Sequence, residues 1–452
     1  MIFLKRRRLV VWIIKAYAKR LKKVIFLSFI VGLIVFAIVR FSAGFIVNFL
    51  PFVNKNTIGV SGAYTIDSLP AEIVSLASHG LTSVSVNGQV NPDVAKSWKI
   101  EEDGKKYTFF LKHDIYFSDD SNLVSENISY AFADVKKDMP DKYIITFTLK
   151  DKYSPFLVTV SKPIFKKGFV GVGKYMFGKI KTNGSFLESF ELASKDRNTQ
   201  NIKYQFYPTE DAVKTAFIIG EISTAKRLSS TKTGNLDLTK IKNVKTNKNI
   251  NNEKLVTLFY NTQDNVLSDK RIRNALTYGL PGSFSFGERS STPFILSSWA
   301  NEDALNPYQT QDIDHAKILL KGTGVVNSKN KLVIKTLPQY EEAAKIISSE
   351  WKKLGVGSSI EIVESVPSSF QIFLGDFKVS RDPDQYPLWH SSQPSNISRY
   401  KNLRIDKLLE DGRKEQNTDE RKRIYSEFQK YLLDDSPAAF LFFPYSYDLV
   451  RK

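Results

Sequence analysis

The longest apolar stretch of the chain runs from Val24 to Val39 (VIFLSFIVGLIVFAIV) without a charge, and beyond Arg40 it continues through Phe41, Phe45, Ile46, Val47, Phe49 and Leu50. At about 1.5 Å per residue, sixteen residues cover roughly 24 Å, short of the ~30 Å hydrocarbon core. The pattern therefore predicts a transmembrane helix that runs on past Arg40, whose long side chain lies near the helix end and snorkels to the headgroups. Pro51 to Asn56 (PFVNKN) reads as a linker. After it the spacing of apolar residues changes repeatedly. Tyr107 to Leu111 (YTFFL), preceded by the turn signal Asp103-Gly104, and Tyr143 to Leu149 (YIITFTL) are predicted strands. Pro338 opens a predicted helix in which Ala343, Ala344, Ile347, Trp351 and Leu354 recur at three- and four-residue spacing, with Gly355 placed to end it. Ile360 and Ile362 alternate with polar residues in a following strand. Ile405, Leu408 and Leu409 share one face of a second helix. A third starts near Thr418, with Asp419 and Glu420 in its first turn, and stops before Pro437. The alternation predicts a mixed α/β architecture, and 452 residues are too many for one small core.

Charge sharpens the reading of the amino-terminal end. Residues 1–50 hold ten Lys and Arg and no Asp or Glu, and nine of the ten precede the apolar run. The positive-inside bias then puts the N-terminus in the cytoplasm and residues from about Leu50 onward outside. Ser42-Ala43-Gly44 has the small-x-small pattern of a signal-peptidase site, which would make the segment a cleaved export signal. The long basic region, with Trp12, Ile13, Ile14 and Tyr17 among its charges, suits a helix on the inner leaflet leading into a retained anchor, and retention is the expectation. The net charge of +18 is mainly this membrane signal. Past residue 50, 55 Lys and Arg face 47 Asp and Glu with no concentrated stripe, so nucleic acid is not an expected partner. Cysteine is absent, which removes disulfides, thiolate metal sites, thiol nucleophiles and attachment through a lipidated N-terminal cysteine.

Little in the chain points to catalysis. Gly168 to Tyr175 (GFVGVGKY) comes within one residue of a phosphate-binding loop, but the final position must carry a small hydroxyl for Mg²⁺ and holds Tyr175. The four histidines, His79, His113, His315 and His390, show no metal-ligand spacing, and no Gly-x-Ser-x-Gly elbow or defensible carboxylate pair is present. The chain is not expected to be an enzyme, and no cofactor or metal is expected.

Several segments, in order, resemble the family 5 extracellular solute-binding proteins, whose members bind oligopeptides, dipeptides, nickel complexes and some sugars. Asn91-Pro92-Asp93-Val94-Ala95-Lys96-Ser97-Trp98, followed by Asp103-Gly104-Lys105-Lys106-Tyr107-Thr108-Phe109, is similar to the family's entry motif. Phe117-Ser118-Asp119-Asp120, Ser125 to Tyr130, and Gly171-Val172-Gly173-Lys174-Tyr175 continue the match. Tyr260-Asn261-Thr262 with Asp269, Arg271, Arg273, Ala275 and Leu276 follow, then Asp312 to Leu320 and Asp382-Pro383-Asp384 with Asn396, Tyr400, Asn402, Asp406 and Leu409. Arg421 through Pro437 completes it. Each match alone is weak, but their collinear order across residues 57–445 is specific. The resemblance implies an α/β, two-lobed, periplasmic-binding-protein-like fold of class II, the peptide-binding type, here preceded by one N-terminal transmembrane helix. After the basic segment and anchor read from charge and hydropathy at 1–53, it implies a first lobe at 54–262 with a small domain at 89–165 inserted, a second lobe at 263–435, and a return to the first lobe at 436–452. A solute binds between the lobes and shifts the open–closed equilibrium, and the closed form is what the permease of an ABC importer meets. The expected product is a membrane-anchored, single-pass receptor, monomeric, with a peptide or similar small solute and permease subunits as partners. A second reading is a tethered scaffold or sensor that kept the fold and no longer serves transport.

The candidate contact region is Arg381 to His390, with Arg381, Asp382, Asp384, Tyr386 and Trp389 as ligand-binding residues. Aromatics beside fixed charges suit a pocket that encloses a solute and orients its charged ends. The alternative is a loop whose Tyr386 and Trp389 are core. In peptide-binding members an Asp a few residues before the Asp-Pro-Asp step pairs with the peptide's amino group. Here Lys378, Val379, Ser380 and Arg381 stand there, so an ammonium would lack its partner, and Lys378 and Arg381 suit an anionic group instead. The region 120–150 is short for the family, which implies a shallower or more open cleft.

Overall fold

The computed structural model describes residues 56–452 except 197, 303–306 and 309, together with residues 21, 23, 28 and 30–34. The predicted membrane span between Val24 and Leu50 lies largely outside the described residues. Among the described residues no helix is long and apolar enough to cross a membrane.

Two layered lobes share one sheet, whose strands run in the order Ser358–Ile362, Leu332–Thr336, Ile372–Lys378, Lys254–Tyr260, Ala438–Arg451, Thr224–Leu228, Thr57–Ser61, Ile202–Tyr207, Phe186–Ser194 and Tyr175–Asn183. The central strand, Ala438–Arg451, belongs to both lobes. Its first half pairs antiparallel with Lys254–Tyr260, and its second half with Val244–Ile250 and Thr224–Leu228. Both faces of the second lobe's sheet are covered, which is why its strands read as continuous apolar runs (KLVTLFY, IFLGDF). Val256, Leu258 and Tyr260 point into one core with Trp351 and Ile347; Leu255 and Phe259 point into the other with Trp389 and Phe428. The first lobe repeats the arrangement, with Ile73 and Phe190 beneath one face and Val213 and Phe217 beneath the other.

The chain crosses between lobes twice, side by side. It leaves the first at Asn251–Glu253, between Val244–Ile250 and Lys254–Tyr260, and returns at Pro444–Ser446, where the Asn251 N–H donates to the Pro444 carbonyl at 2.8 Å. The expected boundaries at 262/263 and 435/436 fall at the far ends of the same two strands. Strand pairing moves the crossings inward, because Lys254–Tyr260 is bonded along its length to Ile372–Lys378 of the second lobe. The far end of the central strand is pinned within the second lobe by Arg273, buried on the helix Lys270–Tyr278, whose guanidinium donates to the carbonyls of Leu267, Ser268, Asp435 and Ser436. Asp269 caps that helix by accepting from the Arg271 N–H at 2.8 Å.

A second, four-stranded antiparallel sheet (Ala95–Glu101, Lys106–Leu111, Ile144–Leu149, Val135–Asp141) carries its own core around Tyr107, Phe109 and Phe147. The glycine-rich segment before Tyr175 enters a strand and not a helix, so it has no phosphate-binding geometry. Gly171 and Gly173 are there for close approach: a Cβ on Gly171 would lie 2.2 Å from the Ala77 carbonyl oxygen.

Candidate functional site

The lobes meet around a cavity of about 390 Å³ on one side of the double crossing. Its walls follow from the strand ends. The first lobe contributes Glu72, from the helix Ala71–Ala77, and Lys226 and Arg227, from a bulge between Ala225 and Leu228. Asn251, Asn252 and Glu253 form the floor, and Ile295, Val379 and Arg381 come from the second lobe. Arg227 has a φ of 60°, a left-handed conformation that costs a non-glycine residue about 1–2 kcal/mol. The backbone N–H turned inward by this conformation donates to Asp448 at 3.0 Å, and the guanidinium lies 3.6 Å from Glu72 and 3.4 Å from Glu253. The strained residue is thus held by contacts to the first lobe and to the crossing.

On its outer side the cleft is bridged. The hairpin formed by Thr82–Val84 and Val90–Pro92 projects from the first lobe onto the second. Arg381 Nη1 donates to the Val84 carbonyl at 2.5 Å, Trp299 N–H to the Asn87 carbonyl at 3.0 Å, and Ser297 Oγ to the Val86 carbonyl at 3.1 Å. Gly88, at a φ of +87°, packs so closely that a Cβ would stand 2.4 Å from the Arg381 carbonyl oxygen. The small sheet adds a second bridge: Ser154 N–H donates to the Arg413 carbonyl at 2.7 Å, and the Tyr107 hydroxyl, its pKa pushed up to about 12 by burial, to Gln416 at 3.2 Å.

Of the five residues singled out in the sequence, Arg381 lines this cavity and the other four stand behind it. Asp382 makes a bidentate ion pair with Arg421, at 2.6 and 2.8 Å, with both side chains buried. Asp384 pairs with Arg413 at 2.9 Å. Burial works to lower the pKa values of both arginines, and the facing carboxylates more than offset it. The Asp-Pro-Asp step has a geometric reason: Asp382 Oδ1 accepts from the Asp384 N–H and Asp384 Oδ1 from the Tyr386 N–H, two successive Asx turns around a proline. Tyr386 stacks on His390 at 4.1 Å and lies under the Arg413 guanidinium. Trp389 is buried, donating to Gln385 at 2.8 Å. Sequence reasoning missed Glu72, Lys226, Arg227 and Glu253. The asparagine run at 249–252, between two strand patterns, was a legible turn signal for the crossing. Arg227 gave none, since arginine has no preference for a positive φ. Among the described residues no group of His, Cys, Asp or Glu is placed to hold a metal ion.

Two α/β lobes joined by paired crossings, with a charged cavity between them, define a bilobal binding protein. The chain belongs to the bacterial extracellular solute-binding proteins, family 5, whose family profile matches residues 89–399. It is 23% identical over 412 residues to the probable D,D-dipeptide-binding periplasmic protein DdpA of Escherichia coli K12, covering 78% of this chain and 79% of that protein. In fold it is similar to the substrate-binding protein CtaP of Listeria monocytogenes (TM-score 0.74, 21% identity, 88% of this chain and 93% of that one). It is also similar to NikZ of Campylobacter jejuni, solved with Ni(L-His) (TM-score 0.71, 22% identity, 88% and 94%).

Proposed function

We propose that this chain is the membrane-tethered substrate-binding component of an ABC importer, capturing a peptide or similar small solute in the cleft between its lobes. The observation that carries the reading is the cavity of about 390 Å³ walled by both lobes, toward the small end of the range for solute pockets. Lys226 and Arg381 have no ion pair among the described residues, whereas Glu72 and Glu253 face Arg227, and Asp448 accepts from Arg227 and Asn249. Asp448 too has no ion pair among the described residues, so the lining balances in charge, and Lys226 and Arg381 are the groups that support a solute carrying a carboxylate or another anionic group. Val379 occupies the cavity wall just ahead of Arg381, and no carboxylate replaces it there. Arg381 makes the direct contact; Asp382, Asp384, Tyr386 and Trp389 fix the loop that presents it. The basic N-terminal segment and the apolar run from Val24 hold the receptor at the membrane, so every solute is released close to the permease.

The test is calorimetric titration of the full chain, in nonionic detergent, against pools of short peptides and small organic acids, with X-ray scattering to follow compaction. Saturable binding with compaction is expected, together with co-purification of permease subunits and a monomeric mass. A chain that binds nothing and co-purifies without a permease would leave only a scaffold.

A further inference from the structure

A larger cavity, of about 530 Å³, lies on the opposite face of the double crossing. The two cavities share Arg227, Asn251 and Ser446 and otherwise draw on opposite faces of both sheets. In the second lobe the cleft borders Ile295 and Val379 of one core, and the rear cavity borders Tyr340, Ala343 and Phe442 of the other. In the first lobe the cleft takes Glu72 from the helix over one face. The rear cavity takes Glu210 from the helix Glu210–Ile219 over the other.

The rear cavity is built from aromatic surfaces, Phe286, Tyr340, Phe442 and Tyr445. Its charges are mostly committed. Arg227 serves Glu72 and Glu253, Lys254 lies 3.9 Å from Asp376, and Glu210 accepts from the Ser229 amide and hydroxyl. Glu342 is the exception: it has no ion pair among the described residues. The Lys248 ammonium, which does not line the cavity, already uses the Tyr445 ring as a cation-π partner at 3.4 Å from its centre.

We propose that the rear cavity is a second ligand site, for a small organic cation with an apolar body. Its ammonium lies among the aromatic faces beside Glu342. Its occupancy favours the closed cleft. The two cavities lie on opposite sides of one hinge, so a rotation that opens the cleft brings Glu210 and Ser229 toward Tyr340 and Glu342 and narrows the rear cavity. In the present structure the cleft is bridged and the rear cavity is wide. A ligand that fits this width binds the closed form better, and by linkage raises affinity for the cleft solute.

Benzyltrimethylammonium is the probe, titrated calorimetrically into the full chain in nonionic detergent. One site is expected, with benzenesulfonate and neopentylbenzene binding about tenfold more weakly or not at all. Glu342 is exposed, so Glu342→Gln folds normally and weakens the probe several-fold; Tyr445→Leu does the same, and Glu364→Gln, at an exposed carboxylate that lines neither cavity, leaves it unchanged. The chain has no cysteine, so a Val86→Cys/Ser297→Cys pair reports closure by its rate of disulfide formation. The probe is expected to raise that rate a few-fold. No saturable binding up to about 10 mM, equal binding of the sulfonate, or indifference to both Glu342→Gln and Tyr445→Leu overturns the site. Binding that slows the disulfide overturns the coupling. None of these readouts needs the cleft solute, so they hold whether or not the transport reading survives.

Discussion

Replacing Asp382 with alanine separates a scaffold residue from a ligand contact. The side chain is buried, accepts two hydrogen bonds from Arg421 and holds the Asp384 N–H. Its removal leaves a buried guanidinium with the Gly412 carbonyl at 2.8 Å and the rings of Trp299 and Tyr425 beside it, but without its paired carboxylate. Breaking a buried pair from one side costs about 3–5 kcal/mol, because the remaining charge is uncompensated. At about 2–4 °C per kcal/mol for a unit the size of one lobe, Tm falls by roughly 6–20 °C. The double substitution Asp382→Leu/Arg421→Met removes both charges. It still leaves the Gly412 carbonyl and the Asp384 N–H unpaired, at about 1 kcal/mol or more each, so it recovers only part of the loss, on the order of 2 kcal/mol. Thermal melting of the four proteins in one detergent measures the cycle, and titration below the lowest Tm measures solute affinity. The scaffold assignment predicts a large melting shift, positive coupling between the two positions and little change in affinity. An Asp382→Ala protein that melts within about 1 °C of the parent while losing its solute would refute the reasoning.

Arg381→Ala, in contrast, touches an exposed side chain. Tm should move by no more than about 2 °C, while solute affinity in the same titration falls about tenfold or more, the worth of a charge-assisted hydrogen bond. Gly88→Ala forces a Cβ against the Arg381 carbonyl at a positive φ; the hairpin is expected to lift, and the Val86→Cys/Ser297→Cys pair should oxidise several-fold more slowly. Asp435 gives the acid branch. Burial alone would raise its pKa, but hydrogen bonds from Tyr400, Asn402 and Lys270 more than offset this, so the folded value lies below the usual one. Its contribution is present above about pH 4 and fades as pH falls through the lowered value, and Asp435→Asn should flatten that part of the Tm profile.

The local elements were legible where periodicity and punctuation agreed. The helix predicted after Pro338 is Glu341–Lys353, with Trp351 buried and Gly355 at a φ of +77° just beyond it. The strand predicted at Tyr107–Leu111 spans Lys106–Leu111, and the helix predicted near Thr418 spans Thr418–Asp435. The site was less legible. A charged residue beside an aromatic looks the same in a sequence whether it meets a solute or, like Asp384, an arginine 29 positions away. Arg381 was named because its loop sets fixed charges beside aromatics at a position supplied by the family resemblance. Lys226 and Arg227 lie on a bulge set by pairing with a strand more than two hundred residues later, and no local pattern encodes that.

Ala438–Arg451 comes after every other described element, yet it completes the sheets of both lobes. A nascent or newly exported chain therefore presents two unfinished β-edges, Lys254–Tyr260 and Thr224–Leu228, until this segment arrives. Open edges of this kind recruit other strands, so the vulnerable interval lasts until Ala438–Arg451 has been made. Removing the whole of Ala438–Arg451 would leave both halves sticky, not one half intact.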